Sequence, residues 1–112
     1  MKYNAYKRYS IADRKAVIQQ KANDVGVTAA SEAVVNFKAF EAFLAEAINV
    51  KRAGCEHYSA RTIIHVLRHH SAVEDSCHLF KINDHLSKPF ALVSMALIDE
   101  LSGMFETREK IR

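Results

Sequence analysis

The stretch TAASEAVVNFKAFEAFLAEAINVKR, residues 28–52, decides the fold that this chain can adopt. Lys51 and Arg52 suit the carboxyl end of a helix, and Gly54 can end that helix in the left-handed conformation. The stretch therefore predicts one helix over residues 29–52, about 36 Å long, as the backbone of the fold. Its apolar side chains recur every three or four residues and so share one helical face: Phe37, Phe40, Leu44, Ala47 and Ile48.

Three further segments repeat apolar residues at helical spacing, over residues 11–23, 60–72 and 88–102. Serine is a preferred N-cap, and one precedes each segment, at Ser10, Ser59 and Ser87. The piece HLFKIND, residues 78–84, alternates weakly, but a single extended piece cannot form a sheet. We therefore predict an all-α fold, a small single-domain bundle of about four helices over residues 1–112. The predicted core consists of Val17, Phe37, Phe40, Leu44, Ile63, Leu67, Leu92 and Leu97.

Length and composition are those of an ordinary globular chain. It has 112 residues, of which 49% are hydrophobic and 26% charged, enough for one core without disulfides or metals. No apolar run approaches the ~20 residues that cross a bilayer, and the amino-terminal residues lack the apolar segment of a signal peptide. We therefore expect a cytoplasmic protein whose two cysteines stay reduced.

Five of the six histidines and both cysteines fall within residues 55–78, CEHYSARTIIHVLRHHSAVEDSCH. His65 and His69 are one helical turn apart, so both can reach one metal ion, but tetrahedral zinc needs further ligands. The flanking Cys55–His57 and Cys77–His78 pairs match no standard ligand spacing, and the arginines between them would repel a cation. We therefore predict no metal site and no other cofactor.

The third predicted helix has an apolar and a polar face. Ile63, Ile64 and Leu67 share the apolar face, and His70 lies beside them. On the opposite face are four side chains that can donate to phosphate or carboxylate: Arg61, His65, Arg68 and His69. One interpretation is a binding surface for an anionic partner, with contacts that strengthen as histidine gains a proton toward about pH 6. The other is an ordinary solvated face.

The amino-terminal end is basic and aromatic. Residues 1–21 carry six basic side chains and one acidic side chain, in a chain of net charge +3. Tyrosines alternate there with cations, a pattern that suits stacking on single-stranded nucleic acid. The other interpretation packs these tyrosines onto the bundle, whereas unpacked residues 1–9 would form a flexible tail. The candidate nucleic-acid contacts are Lys2, Tyr3, Tyr6, Lys7, Arg8, Tyr9, Arg14 and Lys15.

Residues 21–37, KANDVGVTAASEAVVNF, have the outline of a helix-turn-helix, with Gly26 at the turn. The second helix is rich in alanine and valine, however, where a recognition helix carries side chains that reach base edges. A small nucleic-acid-binding regulator, acting through this motif or through the basic end, is therefore the alternative function.

The sequence has no catalytic signature. It lacks a glycine-rich phosphate loop and a nucleophile elbow. Asp99 and Glu100 are adjacent, so they point in different directions on a helix and form no carboxylate pair. We expect a protein that is not an enzyme.

The carboxyl-terminal half resembles a pattern in a family of small, uncharacterised phage and prophage proteins. The matching pieces are YSARTIIHVLRHH at 58–70, FKIND at 80–84 and GMFETR at 103–108; residues 1–54 lie outside the match. Asp84 stands where the family usually has an asparagine. The resemblance implies an origin rather than a mechanism. It implies a non-catalytic binding protein that contacts a host protein or protein–nucleic-acid complex, as a regulator or as an inhibitor of host defence. Self-association also stays open.

Overall fold

The computed structural model describes residues 1–73 and 86–105, with residues 70–73 described by their backbone only. In these ranges the protein is all-α, as predicted, and contains no strand. Among the described residues, seven α-helices and one 3₁₀ turn follow one another: α1 Tyr3–Lys7, α2 Ile11–Gln20, α3 Ala22–Val25, α4 Val27–Val35, α5 Phe37–Arg52, α6 Ala60–Val73, α7 Ser87–Leu97 and the turn Asp99–Leu101.

Helix α5 stands at the centre of the fold. It packs against α4, α6, α7 and the 3₁₀ turn. Phe40 and Phe43 each contact Phe90 of α7 edge to face, with ring centroids 5.4 and 5.5 Å apart. Phe105 adds a fourth ring, 5.5 Å from Phe43. These paired rings bury a large apolar area, so this aromatic cluster contributes strongly to the hydrophobic stabilisation.

The predicted core is correct in position, although only half of it is fully enclosed. Completely or almost completely buried are Phe40, Leu44, Ile63 and Leu97. The other four residues pack on the edge of the core and are partly buried: Val17, Phe37, Leu67 and Leu92. Helical periodicity identifies the inward face, but the depth of each residue depends on which neighbouring helix covers it.

The prediction of one continuous helix over residues 29–52 is wrong, because the chain breaks at Asn36. The backbone there has φ −104° and ψ 45°, outside the helical range. The Asn36 side-chain amide donates to the carbonyl oxygen of Glu32 at 2.9 Å and to its carboxylate at 3.2 Å. The Glu32 carbonyl also accepts from the Asn36 backbone N–H at 3.0 Å, so these local bonds hold Asn36 at the end of α4, and α5 starts after the break.

The predicted helices at 11–23 and 60–72 are found with small changes. Helix α2 starts as predicted, with the Ser10 hydroxyl accepting from the Asp13 backbone N–H at 3.1 Å. Its end differs, because Lys21 separates α2 from the short α3, and Gly26 at φ 100° then leads into α4. Helix α6 begins at Ala60, as expected.

The predicted helix at 88–102 is shorter than expected. Helix α7 ends at Leu97, and its N-cap is Leu86 rather than Ser87, which is already the first helical residue. Ile98 is extended and completely buried. This conformation redirects the chain, so that Leu101 and the residues after it also reach the core. Residues 78–84, the weakly alternating piece, lie outside the described residues.

No helix in the two described ranges combines the length and the apolar character needed to cross a membrane.

Candidate functional site

Helix α6 is fixed at its start by two hydrogen bonds. The Ser59 hydroxyl accepts a hydrogen bond from the Thr62 N–H at 3.3 Å, which makes Ser59 an N-cap. One residue earlier, the Tyr58 N–H donates to the Met104 carbonyl at 3.2 Å. The second bond ties the entry of α6 to the segment that follows α7. Because these bonds fix the start of α6, they also fix the side of the bundle on which its polar face lies.

The two faces of α6 divide as helical spacing predicts. Ile63 and Ile64 are completely buried. The four polar residues of the opposite side are all exposed: Arg61, His65, Arg68 and His69. The last three of these also take part in interactions within the chain. Arg61 is therefore the most informative position at which to test this surface, which we call the α6 face.

The ionisable side chains of the α6 face are all basic. The sequence of Ala60–Val73 contains two arginines and no aspartate or glutamate. Arg61 lies in the first turn, where no acidic side chain is present. The amino-terminal end of a helix has a partial positive charge, so a cation there is less favourable by roughly 0.3–1 kcal/mol. Helix stability thus does not account for an arginine at this place.

The structure describes only some of the residues that were considered as metal ligands. Cys55 and His57 are both exposed and precede α6. Within residues 1–73 and 86–105, no three histidine, cysteine or carboxylate side chains come together in a way that could hold a metal ion. Cys77 and His78 lie outside the described residues, as does the side chain of His70.

The amino-terminal segment is packed on the bundle, which was one of the two interpretations of its tyrosines. Tyr6 is completely buried, and its hydroxyl donates a hydrogen bond to the Glu41 carboxylate of α5. Burial and, next, this hydrogen bond raise the pKa of Tyr6 well above its usual value. Tyr6 is therefore a core residue and cannot stack on a base in this conformation.

Arg14 is likewise used inside the protein. Its guanidinium pairs with the Glu41 carboxylate at 2.8 Å and donates to the carbonyl oxygens of Lys7 at 2.8 Å and Tyr9 at 3.1 Å. Of the other candidates for nucleic-acid contact, the Lys15 ammonium lies 5.2 Å from the centre of the Phe37 ring. In this conformation the Tyr6 and Arg14 side chains hold α1 on the bundle, and their contact with nucleic acid stays a prediction.

Lys2, Lys7, Arg8 and Tyr9 remain exposed. Tyr3 is partly buried and lies beneath the Lys7 ammonium, 5.9 Å from the centre of its ring. The residues still available for an anionic ligand at this end are therefore fewer than the sequence pattern suggests.

The helix-turn-helix outline corresponds to α3, Gly26 and α4. Helix α4 packs mainly on α7, and its alanines are buried: Ala29, Ala30 and Ala33. The outward residues of α4 are Val27, Thr28, Ser31 and Val35. None of them is an arginine, lysine, asparagine or glutamine, the side chains that read base edges most specifically. The helical turn is present, but α4 does not have the surface of a recognition helix.

Sequence reasoning missed two features. The first is the role of Glu41, which helical spacing places on the outer side of α5 but which joins Tyr6 and Arg14. The second is the exposure of Val27 and Val35, 73% and 76% exposed. A helical projection of α4 contains part of that second signal, since Val35 falls on the side opposite the three buried alanines.

A comparison of the chain with known protein families, with curated proteins and with solved structures finds no match.

Proposed function

We propose that this is a non-catalytic binding protein of phage or mobile-element origin, acting in the cytoplasm of its host. The α6 face contacts an acidic surface on a host protein or protein–nucleic-acid complex, and this contact regulates host machinery or inhibits host defence. The phage origin rests on the sequence resemblance alone.

One observation carries the proposal: the α6 face is exposed and contains two arginines with no acidic residue on the helix. Arginine captures carboxylate or phosphate through two parallel hydrogen bonds and is enriched at interface hot spots. The unfavourable position of Arg61 against the helix dipole adds support, because it contributes nothing to the stability of α6.

The second candidate is a nucleic-acid-binding regulator that uses the amino-terminal segment. The exposed Lys2 and Arg8 support it. Against it stand the internal roles of Tyr6 and Arg14, which remove an aromatic ring and a cation from that surface. The contact with a protein partner is therefore the better supported of the two.

The test compares two variants with equal charge change. The double variant Arg61→Glu, Arg68→Glu alters the α6 face, and the double variant Lys2→Glu, Arg8→Glu alters the amino-terminal segment. Each is used, beside the wild type, to capture partners from host lysate for identification by mass spectrometry. Circular dichroism and thermal unfolding first establish that both variants fold.

We expect a partner that the wild type and the Lys2, Arg8 variant capture equally and that the Arg61, Arg68 variant loses. Equal capture by all three proteins would refute the role of the α6 face. Loss with the Lys2, Arg8 variant alone, together with nucleic acid in the captured material, would establish the second candidate instead.

A further inference from the structure

Helix α1 is held on the bundle by side chains rather than by helix packing. It has five residues, too few for a helix that is stable alone. Tyr6 is its one buried residue, and among the described helices α1 is the one without an extended packing partner. An element with few buried contacts opens locally while the rest of the protein stays folded. We therefore expect α1 to leave the bundle more readily than the other described helices.

The contacts that hold α1 have the chemistry of an anion-binding site. One carboxylate oxygen of Glu41 accepts from the Tyr6 hydroxyl, and the other accepts from the Arg14 guanidinium at 2.8 Å. A phosphodiester also presents two free oxygens, and a guanidinium and a hydroxyl are donors that bind it. Glu41 therefore occupies the position that a phosphate group would take on these two side chains.

The Glu41 carboxylate comes from another part of the chain. Residues 1–21 contain six basic side chains and one acidic side chain, whereas Glu41 belongs to α5. The Arg14–Glu41 pair is mostly buried, since the two side chains are 16% and 20% exposed. Salt screens such a pair little, and each charge is costly to leave alone. Arg14 therefore stays on Glu41 until another anion replaces it.

We propose that Glu41 keeps a site for single-stranded nucleic acid closed, because it binds Tyr6 and Arg14 itself. When α1 leaves the bundle, Arg14 pairs with a backbone phosphate and the Tyr6 ring stacks on a base. Exposed cations of the same segment add phosphate contacts: Lys2, Lys7 and Arg8. This autoinhibition is independent of the α6 face and of its partner.

A second anchor holds the start of the segment. The Asp99 N–H donates to the Met1 carbonyl at 3.0 Å, and the Arg52 guanidinium lies 6.0 Å from the centre of the Tyr3 ring. Neither contact involves Glu41. The site therefore opens between this anchor and α2, without loss of the whole segment from the bundle.

The closed state lowers the apparent affinity in proportion to the fraction of molecules that are open. If α1 is released in about 1% of molecules, the apparent dissociation constant is about 100 times the intrinsic one. Replacing Glu41 by alanine leaves Arg14 without its partner and so favours the open state. We expect Glu41→Ala to bind single-stranded DNA at least about tenfold more tightly than the wild type.

The experiment titrates wild type and variants into labelled oligothymidylate of about 16 nucleotides, followed by fluorescence anisotropy at about 0.15 M salt. The matched control is Glu46→Ala, which removes the same charge from a partly exposed position of the same helix. It should bind as the wild type does. Thermal unfolding first establishes that each variant folds.

Hydrogen exchange reports the release itself. The Tyr6 amide donates to the Lys2 carbonyl at 3.0 Å, so its exchange measures the opening of α1. In Glu41→Ala this amide should exchange at least about tenfold faster, while the amide of the buried Leu44 in α5 keeps its protection.

A pair of double variants tests the role of Arg14. Glu41→Ala, Arg14→Gln should lose most of the gain in affinity, because Arg14 supplies a phosphate contact in the open state. Glu41→Ala, Lys21→Gln has the same net charge and should keep most of the gain, since Lys21 makes none of the contacts to Glu41.

Three results would overturn the proposal. The first is equal affinity of Glu41→Ala and the wild type. The second is an equal gain in Glu46→Ala, which would reflect charge alone. The third is faster exchange at Tyr6 without a gain in affinity, including the case in which the released segment captures an acidic protein instead. If Glu41→Ala does not fold, Glu41→Gln and Glu46→Gln replace the pair. The glutamine amide oxygen still accepts from Tyr6, so the expected gain for Glu41→Gln is at least about threefold.

Discussion

The hydroxyl of Tyr6 donates a hydrogen bond to the carboxylate of Glu41, a residue 35 positions further along the chain. Glu41 accepts from Arg14 at the same time, through its other carboxylate oxygen. Since Tyr6 is completely buried, this group of three joins α1, α2 and α5 at the edge of the core. It explains why the basic amino-terminal segment is part of the bundle.

The Tyr6–Glu41 contact predicts a loss of stability at alkaline pH. The pKa of Tyr6 in the folded protein is raised above the value of about 10 for an unfolded chain. Its contribution is therefore fully present below about pH 10 and is lost as the pH rises from there through the folded pKa. Above about pH 10 the free energy of unfolding should fall increasingly steeply because of this residue, with a slope that approaches about 1.4 kcal/mol per pH unit.

Urea unfolding from pH 8 to 11 tests this, with Tyr6→Phe as the control. The variant lacks the titrating hydroxyl, so its stability should fall less steeply than that of the wild type above pH 10. Two parallel curves would show that Tyr6 is not held in its neutral form.

The position of the aromatic cluster predicts that alanine substitutions at two core positions lower the free energy of unfolding by different amounts. Phe40→Ala removes a completely buried ring that contacts Phe90, and should lower the free energy of unfolding by about 3–5 kcal/mol. Leu67→Ala should cost less, about 2 kcal/mol, because Leu67 is only partly buried. Urea denaturation at pH 7 measures both. A greater loss for Leu67→Ala would contradict the position of the core.

We predict that the protein does not hold stoichiometric metal. The histidines and cysteines follow no standard zinc spacing, and the arginines of the α6 face disfavour a nearby cation. Elemental analysis of protein purified without a histidine tag should give well below one zinc per chain. One zinc per chain in the wild type, lost from the variant His65→Ala, His69→Ala, would show the opposite.

We predict weak and non-specific binding to nucleic acid. With Tyr6 and Arg14 engaged internally, few phosphate contacts remain at the amino-terminal segment. Labelled single- and double-stranded DNA and RNA should show no binding tighter than about 100 µM at 0.15 M salt. Micromolar affinity that falls steeply as salt rises would favour the nucleic-acid-binding alternative.

The periodic spacing of apolar residues was sufficient to predict which side chains of a helix point into the core and which point outward. The inward positions of Phe40 and Ile63 and the outward position of Arg61 follow from residues three and four apart. The break at Asn36 cannot be predicted from residue spacing. Asparagine lowers helix propensity only slightly, and the Asn36 side chain makes a specific hydrogen bond to Glu32 at the break.

The packing of the amino-terminal segment could not be predicted from the sequence, for a different reason. Tyr6 and Glu41 meet only after α1, α2 and α5 have assembled, and no local pattern connects two residues so far apart. Exposure of the α6 face, by contrast, was predictable from local helical spacing alone.

The most direct test of the central claim is the affinity of the single variant Arg61→Glu for the purified partner, measured by isothermal titration calorimetry. Lys38→Glu, an exposed charge reversal on α5, is the matched control. If the α6 face is the binding surface, Arg61→Glu weakens binding at least about tenfold, which is about 1.4 kcal/mol, and Lys38→Glu leaves it unchanged. Equal affinities for Arg61→Glu and the wild type would contradict the claim.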